Sequence, residues 1–293
     1  MTSTRPKLFD AVNAVIIGLI SLLCILPMLL VLMVSFTDET SIRQFGYQLF
    51  PSEFSLDAYK LLLLGSTPLY RSYMISIFIT VVGTLLAVTI TGMAGYTLAA
   101  KHIRYRNGLG LFFFITMVFN TGLVPWYLIN LNLGINNTIW ALIIPSLVFN
   151  PFNLFLVRNY MSQIPSAMTE AAKIDGASDF YIAFRIFFPL CMPVLATITL
   201  FYGIGYWNNW FNAIMLVDNE KLYPLQYLLF KLNSEISMIQ QMQSSGALVG
   251  VEALPQESVK MATAILTIGP VVLFYPFLQR YFIKGLLIGS LKE

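Results

Sequence analysis

The chain has 293 residues, 57% of them hydrophobic and only 11% charged, with 17 Lys+Arg against 14 Asp+Glu and a formal net charge of +3. A soluble domain carries roughly 25% charged residues, so the composition excludes a water-exposed globule, and an excess of three positive charges gives no reason to invoke a nucleic-acid partner. Spanning ~30 Å of hydrocarbon takes about 20 apolar residues at 1.5 Å each, and the charges here fall between runs of that order: this is the pattern of an all-α, multi-pass membrane protein surrounded by lipid.

Five intervals contain no Asp, Glu, Lys or Arg: Ala11–Thr37, Ser72–Ala100, Asn107–Val157, Ile186–Val217 and Met261–Gln279. The third is 51 residues long, too long for one helix. Asn120-Thr121-Gly122 and the Asn/Gly-rich stretch 130–137 interrupt it, and such residues favour turns. Six spans are therefore predicted, at about 11–34, 73–100, 110–130, 138–157, 190–217 and 261–280, in a single transmembrane domain covering 1–293 with a loop at 158–189. The first is not expected to be a removable signal peptide, because its apolar run is long and no small-x-small site precedes Asp38. In the second, Gly83, Ala87, Thr91, Gly95 and Ala99 put a small residue at every fourth position; one smooth strip lets a neighbouring backbone approach closely. Prolines 27, 125, 145, 151, 193, 270 and 276 lie inside or at the ends of spans, where each removes a backbone donor and can kink its helix.

With six spans, the side holding both termini, 101–106 and 158–185 carries 11 of the 17 Lys+Arg, and the opposite side nine of the 14 acids. The positive-inside rule then puts both termini in the cytoplasm. Trp126, Trp140, Trp207 and Trp210 fall in the outer halves of spans, as interfacial aromatics do. The outer segments 38–71 and 218–260 read equally well as connectors or as docks for an external partner. Cys24 and Cys191 suggest neither a disulfide nor a metal cluster, and His102 reads as a solvated loop residue.

The loop between the fourth and fifth spans runs Ile164-Pro165-Ser166-Ala167-Met168-Thr169-Glu170-Ala171-Ala172-Lys173-Ile174-Asp175-Gly176-Ala177-Ser178-Asp179. Pro165 fits the first turn of a helix, Gly176 its left-handed C-terminal turn, and Ser178 the N-cap of a second helix leading into the fifth span. Met168, Ala171 and Ala172 form a small apolar patch beside the Glu170 carboxylate, suited to another protein's cleft.

Here the chain closely resembles the permeases of ABC importers. Glu170-Ala171-Ala172, then Gly176, Ile186 and Pro189 match their spaced cytoplasmic signature, with one departure, Phe188 where Leu is usual. Ile174-Asp175-Gly176-Ala177 and Phe188-Pro189-Leu190 resemble the carbohydrate-uptake branch related to the maltose importer. Arg158-Asn159-Tyr160 resembles its exit from the fourth span, and the stretch from Phe277 to Leu286 its C-terminal ending. Trp207 through Ala213, followed by Leu222-Tyr223-Pro224-Leu225-Gln226, is similar to the aldouronate and polysaccharide subgroup.

The resemblance implies a coupling helix around Glu170, Ala171, Ala172, Asp175 and Gly176, seated in a separate ATPase. It also implies a second homologous permease, two ATPase copies that hold the ATP and Mg, an extracytoplasmic solute-binding protein and an oligosaccharide cargo. This chain itself would need no cofactor, and no Gly-x-x-x-x-Gly-Lys-Ser/Thr phosphate loop occurs in it.

Sugars are held by hydrogen bonds to their hydroxyls and by aromatic faces. Asn150 and Asn153 in the fourth span, with Tyr202, Tyr206, Trp207, Asn208, Asn209, Trp210 and Asn212 in the fifth, are candidates for the translocation path. Amides at hydrocarbon depth should not face lipid, because an unsatisfied polar group there costs several kcal/mol. They serve either a wet path or bonding between helices. An ion-coupled transporter would bury Asp, Glu, Lys or His in its spans, and these spans hold none, whereas a permease for amino acids or phosphate stays open.

Overall fold

The computed structural model describes residues 7–64, 67–119, 121–145, 148–245 and 257–272. Among these the protein is all-helical, apart from a single antiparallel bridge between Thr37 and Phe54. The helices are α1 (Lys7–Ser35), α2 (Glu39–Phe45), α3 (Asp57–Leu64), α4 (Thr67–Ala99), α5 (Arg106–Val118), α6 (Leu123–Asn132), α7 (Trp140–Ile143), α8 (Pro151–Met161), α9 (Ser166–Ile174), α10 (Asp179–Tyr181), α11 (Phe188–Leu190), α12 (Met192–Trp207), α13 (Phe211–Leu216), α14 (Leu225–Ser244) and α15 (257–272). A π turn, Ile182–Phe187, joins α10 to α11. The chain folds as two compact units, Met1–Thr67 with Lys231–Pro270 and Pro68–Phe230 with Val271–Glu293.

Two helical stretches, Phe9–Ser35 and Pro68–Ala99, are long and apolar enough to cross a membrane, and two bent pairs pass the same test jointly. The expected span 110–130 is one such pair: α5 and α6 differ in direction by 116°, and Gly122, with φ +82°, stands at the N-terminus of α6. The expected span 138–157 is also interrupted. Its α7 has only four residues, and the next helix waits for Asn150, extended at φ −127° and ψ 119° as a residue before proline prefers. Within 190–217 the chain likewise breaks, at 208–210. The last span, 261–280, lies partly outside the described residues, as does its ending from Phe277 to Leu286.

In the first unit, Ala58, Leu62, Val259 and Ala262 form a small core with Tyr59, Leu232, Ile236 and Leu266 against it. A carboxylate organises its polar side. Glu39, buried, accepts hydrogen bonds from the backbone N–H groups of Glu257 (3.1 Å) and Ser258 (3.1 Å) and from the Ser258 hydroxyl (3.0 Å). It thus caps α15, whose first-turn donors have no partner inside their own helix. Glu257 in turn accepts from Tyr47 Oη at 2.6 Å and pairs with Lys260 at 3.1 Å. The Tyr47 bond holds the Glu257 carboxyl below its ordinary value, and the same bond pushes the Tyr47 phenol up to about 12. A carboxyl with a depressed folded value lends stability above the unfolded carboxylate range and loses it as pH falls through the folded value, so acid loosens this clasp. Glu39→Ala leaves two backbone donors and a hydroxyl without their acceptor, each costing about 1–3 kcal/mol when buried. A clear drop in the melting temperature of the detergent-solubilised protein is expected, with Glu39→Gln intermediate, and an unchanged melting curve for Glu39→Ala would contradict the capping role.

In the second unit, α4 supplies the predicted smooth strip. A Cβ at Gly83 would lie within 2.7 Å of three ring atoms of Tyr206, and one at Gly95 would be 2.6 Å from Val157 Cγ1. Between them Ala87 is fully buried, and Thr91 Oγ1 shares a 2.7 Å hydrogen bond with Tyr202 Oη. The strip is the seat for α8 and α12 side chains.

Candidate functional site

The loop 158–189 folds from local signals. Helix α9 starts at Ser166, one position after Pro165, which takes the extended ψ of 134° of a cap residue and not the first helical turn. At the other end Asp175 is the C-cap and Gly176 follows at φ +78°. The Gly176 N–H bonds to the Lys173 carbonyl (3.0 Å) and the Ala177 N–H reaches the Ala172 carbonyl (2.9 Å), the paired closure that left-handed glycine permits. Ser178 then caps α10, its Oγ accepting from Tyr181 N at 3.3 Å. A salt bridge of 3.3 Å between Lys173 and Asp179 spans the turn.

No residue of α9 is buried. Ile174 is 86% exposed, and Met168, Phe180 and Tyr181 are exposed with it. Glu170 lies on the same short helix and lines a cavity of about 220 Å³ that also meets Lys101, His102, Ser162, Thr169 and Lys173. His102, exposed in a turn as a solvated loop residue would be, also flanks this loop. Beyond α10, the π turn and α11 lean on α4: Phe187 meets Tyr96 edge-on at 5.0 Å. The chain then bends by 85° between Leu190 and Met192.

The amides of the fourth and fifth spans have identifiable partners. Because α7 stops at Ile143, carbonyls at its end lose their intrahelical donors. Leu142 O accepts from Asn209 Nδ2 (2.7 Å), Ile143 O from Tyr206 Oη (2.9 Å) and Pro145 O from Asn212 Nδ2 (3.0 Å). Asn209 Oδ1 also accepts from Asn212 N (3.3 Å). Asn150 caps α8 through Phe152 N and Asn153 N, and its own N–H donates to Tyr202 Oη at 3.1 Å. Asn153 and Trp207 are buried. Most of the expected path residues thus form a brace around a broken helix, and the bonding between helices that was open at the outset accounts for Asn150, Tyr202, Asn209 and Asn212.

Asn208 and Trp210 differ. Asn208 Oδ1 accepts from Gln226 Nε2 at 2.9 Å, in an exposed pair. Trp210, 43% exposed, stacks on Phe230, 47% exposed, with ring centroids 5.4 Å apart. Gln226 and Phe230 are one turn apart on α14. From sequence, Gln226 is marked only within the stretch 222–226 and Phe230 not at all, since nothing local marks a helix face that meets residues 208–210. Asn137 was missed for a similar reason. At φ +54° it holds the turn after α13, its Oδ1 accepting from Asp218 N (2.6 Å) and Asn219 N (3.1 Å).

Residues 103–288, which include the whole loop, match the family described as binding-protein-dependent transport system inner membrane component. The chain belongs to this family. Over 288 residues the permease is 38% identical to Protein LplC of Bacillus subtilis (strain 168), covering 98% of this chain and 95% of that protein. It is 35% identical to the polygalacturonan/rhamnogalacturonan transport system permease protein YtcP of the same organism, covering 98% and 99%. Among solved structures, it is similar to a chain from a bacterial ABC transporter involved in the import of the acidic polysaccharide alginate, with a TM-score of 0.82, 30% identity and coverage of 96% and 99%. The permease is thus an inner-membrane component, and Phe9–Ser35 and Pro68–Ala99 are helical stretches apolar enough to cross that membrane.

Proposed function

We propose that this permease moves an oligosaccharide or polysaccharide across the bacterial cytoplasmic membrane by alternating access, as one half of a pair with a second homologous permease. Alginate-type acidic polysaccharides, carried by the smaller permease subunit of such an importer, are the narrowest reading. The likeness to a chain of a bacterial ABC transporter involved in the import of alginate supports the cargo. In this reading two copies of a cytoplasmic ATPase hold the ATP and Mg and seat the coupling helix, through Glu170, Ala171, Ala172, Asp175 and Gly176. An extracytoplasmic solute-binding protein delivers the sugar. The observation that carries the proposal is α9: a capped helix with no buried residue has apolar side chains that only a partner can cover.

Six spans with both termini cytoplasmic, in one domain over 1–293, remain the proposed topology; the bias of basic residues and the two bent pairs support it. Of the candidate path residues, Asn208 and Trp210 are proposed to touch sugar, with Asn150, Asn153, Tyr202, Trp207 and Asn209 forming the wall behind them.

Two measurements test this. Cells expressing the permease with its neighbouring binding protein, partner permease and ATPase are given labelled oligosaccharides of alginate, polygalacturonan, rhamnogalacturonan and arabinan, alongside an amino acid and phosphate. Uptake of at least one oligosaccharide is expected; uptake confined to the amino acid or phosphate would sink the proposal. In a background lacking Cys24 and Cys191, an impermeant maleimide on intact cells should label Met238→Cys and spare Lys173→Cys. The reverse pattern would overturn the topology.

A further inference from the structure

We propose that Gly92 of α4 and Phe188 of α11 form the joint through which movement of the loop 158–189 reaches the membrane-spanning helices; this rests on the coupling role proposed above for that loop. A Cβ at position 92 would lie 2.6 Å from Phe188 Cζ, 3.1 Å from Cε1 and 3.3 Å from Cε2. The tip of the ring therefore sits directly on the α4 backbone, in a notch that only glycine leaves. One helical turn further along α4, Tyr96 takes the edge of Phe187 at 5.0 Å. Phe184 also packs on Phe188, with ring centroids 4.7 Å apart. Two successive rings thus bear on one helix.

Phe188 lies at the end of a helical run that stops at a sharp bend. The last three residues of the run, Phe188–Leu190, include Pro189. They are preceded by the π turn Ile182–Phe187, a form frequent at functional sites, and followed by the 85° bend. The helical run Asp179–Leu190, wound as a π turn in its middle and ended by the bend, acts as a lever, and closely packed interiors shift between discrete arrangements more readily than they deform. With its ring tip against the α4 backbone at Gly92 and Phe184 packed on it, the lever displaces α4 when it moves towards that helix. The match also explains the departure from the family signature: Phe188 exceeds the usual Leu in size, and Gly92 supplies the room.

The joint predicts reciprocal rescue. In the full transporter, the readouts are co-purification of the ATPase and stimulation of ATP hydrolysis by the binding protein, charged with whichever oligosaccharide of the panel above gives uptake. Gly92→Ala, which overpacks the notch, should lower stimulation about tenfold with the ATPase still bound, and Gly92→Ala/Phe188→Leu should return it to within about threefold of wild type. Phe188→Ala, which empties the notch without crowding, should also lose stimulation while keeping the ATPase. It carries the test if Gly92→Ala does not assemble. Wild-type stimulation in Gly92→Ala or Phe188→Ala, or a double variant no better than Gly92→Ala, would overturn the joint. Gly176→Val, run in parallel, separates the two ideas: if it alone uncouples, only the joint is wrong, and if it too is wild type, the coupling role of the loop fails.

Discussion

Gly176→Val is expected to abolish uptake and binding-protein-stimulated ATP hydrolysis, although the proposed topology puts the residue outside the membrane and away from the proposed sugar path. Space is not the obstacle, since a Cβ at position 176 would meet nothing within 4 Å. The backbone is. At φ +78° a β-branched residue is strained by about 1–3 kcal/mol, and relaxing that strain undoes the two hydrogen bonds from Gly176 and Ala177 that close α9. The helix would then present Glu170 and Ile174 in the wrong direction. A graded series sharpens the expectation: Asn tolerates the left-handed region best among non-glycine residues, so Gly176→Asn should retain the most activity, Gly176→Ala less and Gly176→Val least. The membrane subunits should insert and pair in every case. Wild-type transport by the Val variant with ATPase bound would remove this loop from the transmission route. Glu170→Ala, by contrast, should leave the loop intact and weaken ATPase retention during purification.

The other large effect is expected from Gly83→Val, and it falls on folding. A Cβ there would come within 2.7 Å of Cζ, Cε1 and Cε2 of Tyr206, a side chain with no exposed surface whose hydroxyl donates to Ile143 O. The ring cannot retreat without giving up that bond. Overpacking costs about 1–3 kcal/mol, and a carbonyl left bare at hydrocarbon depth adds a similar amount. Monodisperse protein in fluorescence-detected size exclusion should fall several-fold, by about tenfold if both terms apply in full. Gly18→Val is the control, because nothing lies within 4 Å of a Cβ at that position. Equal yields from the two variants would show that the Tyr206 contact carries no stability.

These two sites also mark what can be read from sequence. The loop around Gly176 was legible because its signals are local: Gly176, Ser178 and the Glu170 triplet sit within nine positions of one another, and each cap closes on a neighbour. Even there the reading was one residue out, since a proline fits the cap position before α9 as readily as the first turn. The brace was half legible. Amides in an apolar stretch announce that they need partners, but Asn209 finds Leu142 across 67 positions, and that pairing depends on where α7 ends. Hydropathy does not reveal the ending, because broken and unbroken helices in lipid are equally apolar. For the same reason 138–157 and 190–217 read as spans while the breaks before Asn150 and at 208–210 did not show. Asn120-Thr121-Gly122, by contrast, marks an interruption in the sequence itself, and Gly122 opens the second helix of the bent pair. Asn208 and Trp210 were chosen for their chemistry; their partners Gln226 and Phe230 needed the fold.

The carboxylate that caps α15 has a bearing on how the chain is made. Glu39 and its acceptor-seeking partners Glu257 and Ser258 are 218 and 219 positions apart. A ribosome adds about 5–20 residues per second, so some 10–40 s separate the emergence of Glu39 from that of the donors it is shaped to receive. Throughout that interval Glu39 lacks the two backbone donors and the hydroxyl that it accepts from in the folded chain. The polar clasp of the first unit therefore closes only after nearly the whole sequence has been synthesised, and a chain ended before residue 257 lacks all three bonds to Glu39.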